Sequence, residues 1–296
     1  SNKESKIQSR CRMCGSDKLS KYLDLGRTPL ANSYLKEEEC PHPEFKEELV
    51  IQLCIECGLS QLTRVVNPDL MFKNYLYVSS TTQTFRDHCA EMANTTLKIS
   101  SAKENDLVLD IASNDGCLLN KFRDVGMNVL GVDPAENLAD EANKNGIRTL
   151  CAYWSEALAN DIVRRFGTPK IITATNVFAH VDDVHEFVEA VKICLAPEGI
   201  FVIEFPYIMD FIKKNEFDTA YHEHLSYIGI KPVSTLIEKH GMQVFNIQYF
   251  GELHGGTVRV LVCRKGDYAI NQSVPAYIQN ENTFGIKSPA PYNLFA

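Results

Sequence analysis

No apolar run in this 296-residue chain approaches the ~18–20 residues that cross a bilayer. The first residues carry no hydrophobic stretch like that of a signal peptide. A cytoplasmic protein without membrane contact is therefore expected. Positive charge is also short: 30 Lys and Arg stand against 38 Asp and Glu, a formal net charge of −8 at pH 7. Nucleic-acid binding draws on cations that displace counterions, so no nucleic-acid partner is expected. Internal repeats and long low-complexity tracts are absent as well.

Cysteine is not scarce, with 10 in the chain. Four stand in two pairs, Cys11-Arg-Met-Cys14-Gly and Cys54-Ile-Glu-Cys57-Gly. Two intervening residues let both sulfurs of a pair face one ion, and the following Gly frees the turn backbone. Two such knuckles predict a tetrahedral zinc site made by Cys11, Cys14, Cys54 and Cys57. A closed shell of four thiolates leaves no position for substrate, so this zinc is structural. Cys40 and His42 are alternative ligands that lack the knuckle pattern. Glu37 to Glu39, Glu44, Glu47 and Glu48 make the segment a poor nucleic-acid ribbon. Cys40, Cys89, Cys117, Cys151, Cys194 and Cys263 read as buried reduced thiols. A disulfide framework is not expected in a chain of this kind.

Three regions follow from the pattern. Residues 1–72 hold the zinc unit and show no strong helical or strand periodicity. From 73 to 270 the order is regular, beginning with an amphipathic helix over about 83–98 (Phe85, Cys89, Met92, Ala93, Leu97). Strands are predicted at 106–111, 128–133, 147–150, 170–175 and 199–205. Helices are predicted between and after them, near 116–125, 135–145, 155–166 and 182–195. This alternation predicts an α/β fold with a doubly wound, mainly parallel sheet. A helix near 231–240 and two strands, 243–250 and 257–263, follow. Residues 271–296 read as an irregular tail.

Asp110-Ile-Ala-Ser-Asn-Asp-Gly116 links the first strand of the sheet to its helix, where ligands of doubly wound sheets bind. Its three glycine slots hold Ala112, Asn114 and Gly116, beside Ser113. The dinucleotide fingerprint Gly-x-Gly-x-x-Gly is absent from this loop, and Asp115 would repel a pyrophosphate. A phosphate-free cofactor, S-adenosylmethionine (SAM), fits better. Asp133, followed by Pro134, ends the second strand and can accept hydrogen bonds from both ribose hydroxyls. Asp110 and Asp115 are candidates for the cofactor's ammonium. Asn176, Val177 and Phe178, followed by His180, leave the fourth strand toward the same crevice. Arg259 has the planar fork that suits a sugar-linked phosphate.

The paired knuckles, Ser113-Asn-Asp-Gly116, Asn176-Val-Phe-Ala-His-Val181, Tyr221-His-Glu-His-Leu-Ser-Tyr227 and His254-Gly-Gly-Thr-Val-Arg259 together resemble a known family. It is the SAM-dependent sugar C-methyltransferases that act on nucleotide-linked 4-keto-deoxy sugars. The resemblance spans about residues 11 to 264. It implies an N-terminal zinc domain, a class I SAM domain and a nucleotide-activated sugar as substrate. It also implies His224 as the base that removes the proton beside the ketone, with Glu223, Tyr221 and His180 as active-site partners. A tyrosine lining the site corresponds to Tyr75 or Tyr77. His254, Gly255 and Arg259 fall on the acceptor side. The family's third, Rossmann-like domain is expected to be missing, because residues after 271 do not read like its start. Two other functions use the same features: O- or N-methylation of another small molecule, and an inactive SAM-binding or zinc-stabilised scaffold. Nothing in the residues indicates the oligomeric state.

Overall fold

The computed structural model describes residues 4–33, 44–72, 78–253 and 255–296. Near the N-terminus lie β1 (Ser5–Ile7), β2 (Leu19–Pro29), β3 (Lys46–Cys54), β4 (Ser60–Leu62) and β5 (Arg64–Val66). The sequence shows no period here, and two features explain why. β2 pairs with β3 through two register shifts, between Lys21 and Leu23 and between Asp24 and Arg27, and each bulge breaks the alternation of faces. β3 is buried on both faces along most of its length, so its Leu-Val-Ile-Gln-Leu-Cys run does not alternate.

Helices α1 (Asp69–Phe72) and α2 (Gln83–Ile99) lead into the second region. The Thr82 side chain caps α2 by accepting from the Phe85 N–H at 3.3 Å. Then β6 (Leu107–Ile111), α3 (Cys117–Asp124), β7 (Asn128–Asp133), α4 (Glu136–Lys144), β8 (Thr149–Cys151) and α5 (Glu156–Phe166) alternate. They are followed by β9 (Ile171–Thr175), α6 (Val184–Cys194), β10 (Ile200–Pro206) and α7 (Ile208–Lys213). After these come β11 (Ser226–Tyr227), α8 (Ile230–Lys239), β12 (Met242–Phe250) and β13 (Thr257–Arg264).

The main sheet has 7 strands in the order β12-β13-β10-β9-β6-β7-β8. β6 through β10 are parallel; β13 alone runs antiparallel to them, and β12, antiparallel to β13, runs parallel to the rest. Apolar residues of α2 and α3 pack on one face, and those of α5, α6 and α8 on the other. The expected doubly wound architecture is present. No described helix is long and apolar enough to cross a membrane.

Two features lie beyond the main sheet. β11 does not join the main sheet; it pairs with β4 and completes a 4-stranded sheet, β11-β4-β3-β2. The stretch that holds Tyr221 to Tyr227 is thereby stitched to the N-terminal unit. The tail is not irregular either: it forms α9 (Ser273–Phe284) and α10 (Pro289–Phe295). α9 buries only Val274 and Glu281, so it shows little apolar periodicity to read. α10 starts on a Ser288 cap with Pro289 in its first turn, and buries Tyr292 and Phe295. Tyr292 packs on Tyr22 of β2 at 4.9 Å between centroids.

Glu281 is fully buried and acts as a cap in trans. Its carboxylate accepts from the Ile230 N–H (2.5 Å), the Lys231 N–H (2.7 Å) and the Tyr207 hydroxyl (3.0 Å). Glu281→Ala strands these donors at the N-terminus of α8. A loss of about 2–4 kcal/mol of stability is expected, read as a lower urea midpoint. An unchanged midpoint would show that water replaces the carboxylate.

Candidate active site

The four knuckle sulfurs lie within 4.8 Å of one another. Cys11 Sγ is 3.5 Å from Cys57 Sγ, and Cys14 Sγ is 3.5 Å from Cys54 Sγ. A tetrahedral zinc with bonds of about 2.3 Å sets sulfurs about 3.8 Å apart, so the donor set fits that ion. Each knuckle closes through a glycine of positive φ, +82° at Gly15 and +89° at Gly58. These glycines donate to the carbonyls of Cys11 and Cys54, both at 2.8 Å. Cys40 and His42 lie outside the described residues.

A cavity of about 1270 Å³ opens at the carboxyl ends of β6, β7 and β9. The loop after β6 forms one wall. All three of its glycine slots adopt left-handed backbone: Ala112 (φ 56°), Asn114 (φ 53°) and Gly116 (φ 80°). Ala112 pays a steric cost there, whereas Asn114 secures its conformation through its side chain. Asn114 Oδ1 accepts from the Ser79 N–H at 2.9 Å, and the Asn114 N–H donates to Asp133 Oδ2 at 2.8 Å. Asp133 Oδ1 accepts from the Ala135 N–H at 2.9 Å, which fixes the carboxylate at the end of β7. Gly131 allows the loop to close: a Cβ there would meet Ser113 Oγ at 2.5 Å.

Asp110 is buried beneath this wall and accepts from Thr173 Oγ1 at 2.7 Å. Burial, with the negative charges of Asp133 and Glu204, pushes its pKa up to about 7. Asp110, Ala112, Ser113, Asn114, Asp133, Pro134, Asn176 and Val177 all line the cavity. Asp115, Gly116 and Phe178 do not. Asp115 turns away to accept from the Cys117 N–H (3.3 Å) at the start of α3 and from the Ser80 N–H (3.2 Å), which ties residues 79–81 to the loop. Gly116 backs onto Ile147, which a Cβ would meet at 3.0 Å. Phe178 is a core residue, edge-on to Phe187 at 5.5 Å.

The cavity is also lined by Tyr221, His224 and His180. His224 Nδ1 lies 2.8 Å from the Thr219 carbonyl, which can only accept. That nitrogen therefore carries the proton, and Nε2 accepts from the Tyr221 hydroxyl at 2.8 Å. The tautomer leaves a lone pair on the nitrogen that sits beside the phenol. His180 stacks edge-on to His224 at 5.0 Å. Burial, and then the neighbouring His224, push the His180 pKa down to about 3, so it is neutral at pH 7. Glu223 is buried behind the wall and accepts from Asn32 Nδ2 at 2.6 Å; Asn32 itself faces the cavity.

Gly255 lines the cavity beside Glu216, but Arg259 does not. Arg259 is fully buried, paired with Glu204 (2.7 Å) and Glu91 (2.7 Å), and lies over the Phe250 ring at 4.5 Å. The expected phosphate contact is thus corrected: the guanidinium is spent on buried carboxylates. Tyr75, Tyr77 and His254 lie outside the described residues. Sequence reasoning missed Asn32, Tyr153 and Trp154 on the cavity wall. The last two follow β8 directly, so the rule that ligands meet strand carboxyl ends could have found them. Asn32 carries no such signal.

The sheet order and the cavity above its parallel strands define a class I, Rossmann-like methyltransferase. Comparison with known proteins adds the particular kind. A model for a methyltransferase domain matches residues 83–247, and one for a zinc binding domain matches residues 11–72. The C-methyltransferase NovU of Streptomyces niveus is 34% identical over 97% of this chain and 68% of that protein. A SAM-dependent methyltransferase structure from Anabaena variabilis shares the fold, with a TM-score of 0.50 at 12% identity. That match covers 64% of this chain and 88% of the other. The chain belongs to the SAM-dependent methyltransferases that carry an N-terminal zinc-binding domain. Its cofactor is SAM, and its four-cysteine cluster is the metal site.

Proposed function

We propose that this protein transfers the SAM methyl group to the carbon beside the ketone of a nucleotide-linked keto-deoxy sugar. The observation that carries the reading is the Tyr221–His224 pair, which lines the same cavity as the Asp110–Asp133 loop. The NovU likeness supports carbon as the site of methylation. We take residues 1–72 as the zinc unit and 73–270 as the cofactor domain, with residues 271–296 as a brace. The free thiols among the described residues fit a cytoplasmic enzyme.

Bound SAM supplies an electrophilic methyl group on a sulfonium. Asp133 would hold the ribose hydroxyls through its remaining lone pairs. Asp110 would hold the ammonium, with Asn176 and Val177 lining the same cavity. When the ketone enters, the C–H beside it replaces the Tyr221 hydroxyl at His224 Nε2. The C–H bond breaks, its proton goes to Nε2, and its electrons move to the ketone oxygen. The released Tyr221 hydroxyl donates to that oxygen, with neutral His180 as a second polar partner. The Thr219 carbonyl stabilises the imidazolium through Nδ1–H. Bound SAM would supply the methyl to the enolate carbon, the C–S bonding pair staying on sulfur as S-adenosylhomocysteine leaves, and proximity would supply much of the rate.

The test is product analysis with carbon-labelled SAM and a nucleotide-linked 4-keto-deoxy sugar. A methyl signal bonded to carbon is expected; a methyl on oxygen or nitrogen would refute the assignment. Asp110 gives a second check. Its raised pKa means that acid neutralises it, whereas the cofactor's ammonium favours the ionised form. Affinity for S-adenosylhomocysteine should rise as pH increases through about 7, with up to ~10-fold loss per pH unit on the acid side. Calorimetry in buffers of different ionisation enthalpy should detect proton release on binding. A flat profile between pH 6 and 8 would remove Asp110 from the ammonium site.

A further inference from the structure

We propose that Arg12, set between the two cysteines of the first knuckle, is a positioning residue that tethers the His224 segment to the zinc unit. The proposal deepens the reading of His224 as the base and rests on it for its effect on turnover.

Arg12 is buried, and its guanidinium reaches partners outside the N-terminal unit. Nη1 donates to the Leu225 carbonyl at 2.9 Å and to Ser226 Oγ at 3.2 Å, the two residues that follow His224. Nη2 lies 3.7 Å from Asp182 Oδ1, two residues beyond His180. One guanidinium thus reaches both segments that carry the cavity's imidazoles. Its own backbone is fixed: the Arg12 N–H donates to Gln61 Oε1 at 3.0 Å, and Gln61 pairs with Ser226 across β4 and β11. The Leu225 carbonyl also accepts from the Leu62 N–H at 3.0 Å. The Arg12 side chain thus joins the knuckle of Cys11 and Cys14 to the segment after His224, beside the β4–β11 pairing.

Stability does not explain the arrangement. A buried cation costs several kcal/mol unless fully paired. Arg12 Nε has no hydrogen-bond partner among the described residues, and the Asp182 contact is long. A planar fork that hydrogen-bonds two acceptors after His224 while its other nitrogen lies near the Asp182 carboxylate is a task that Lys cannot reproduce. Before His224, the segment has other ties: His222 Nε2 donates to the Glu47 carbonyl at 3.2 Å, and Glu223 holds Asn32. Arg12 governs the half that follows His224.

The test uses the full chain with zinc bound and compares Arg12→Met, Arg12→Lys and Ser226→Ala. In Arg12→Met, amide hydrogen exchange over 224–227 should speed up about 10-fold or more, with β2 and β3 still protected. Bound zinc and S-adenosylhomocysteine affinity should stay within about twofold of wild type, while kcat falls by about 10–100-fold at little-changed KM. Ser226→Ala should show the same pattern more weakly, and Arg12→Lys should recover only part. Unchanged exchange in zinc-loaded Arg12→Met would overturn the tether. So would loss of zinc in that variant together with unchanged exchange and kcat in Ser226→Ala, since Arg12 would then serve only the knuckle. Faster exchange with normal turnover in both Arg12→Met and His224→Asn would support the tether and refute the base.

Discussion

Replacing His224 by asparagine is expected to lower kcat by about 10²–10⁴-fold while S-adenosylhomocysteine still binds. Asparagine retains a polar group near the Thr219 carbonyl, so the loop keeps its local partner. It offers no basic nitrogen at the Nε2 position, where the lone pair now accepts from Tyr221. His180 is a poor substitute, because burial, the largest cause of its lowered pKa, persists when His224 is replaced and keeps it a weak base. Steady-state kinetics should show the loss in kcat and kcat/KM alike, since the contact acts at proton removal. Wild-type turnover in this variant would end the assignment.

Loss of one knuckle ligand should have a comparably large effect by a different route. Cys54 is fully buried at the end of β3, and its Sγ belongs to the four-sulfur cluster. Structural zinc contributes about 10 kcal/mol or more to small domains of this kind, more than the N-terminal sheet can be expected to spare. Cys54→Ser should lose its metal in a colorimetric zinc assay and lose hydrogen-exchange protection in β2, β3 and β4. Because β11 sits on β4, the Tyr221–His224 wall should loosen with them. Turnover should fall to near background, whereas S-adenosylhomocysteine should still bind to the loop after β6. A zinc-free variant with full turnover would separate the metal from catalysis.

Some of this was readable from residues and some was not, for reasons tied to particular elements. β6 to β10 are parallel strands with apolar runs and helices between them, so each left a local signature. Asp110, Asn114 and Asp133 were legible as cavity-lining residues because cavities of such sheets lie at strand ends. β2 and β3 were hidden by bulges and by burial on both faces. α9 was hidden because its buried anchor is Glu281, a residue that sequence patterns assign to solvent. Arg259 misled for the same reason: its partners Glu204 and Glu91 come from distant elements, and only the fold brings them together. Asp115 and Phe178 sat among true wall residues, but backbone hydrogen bonds and core packing claimed them. The alliance of β11 with the zinc unit depends on chain reversal over long separations, which no local motif encodes.

The central claim concerns one proton. With S-adenosylhomocysteine bound in deuterium oxide, no methyl group can move, and proton removal can be observed alone. The wild-type protein should then exchange the hydrogen beside the ketone of a nucleotide-linked 4-keto-deoxy sugar, and His224→Asn should not. Retention of that hydrogen by the wild-type protein, while labelled SAM still yields a methylated product, would contradict the account.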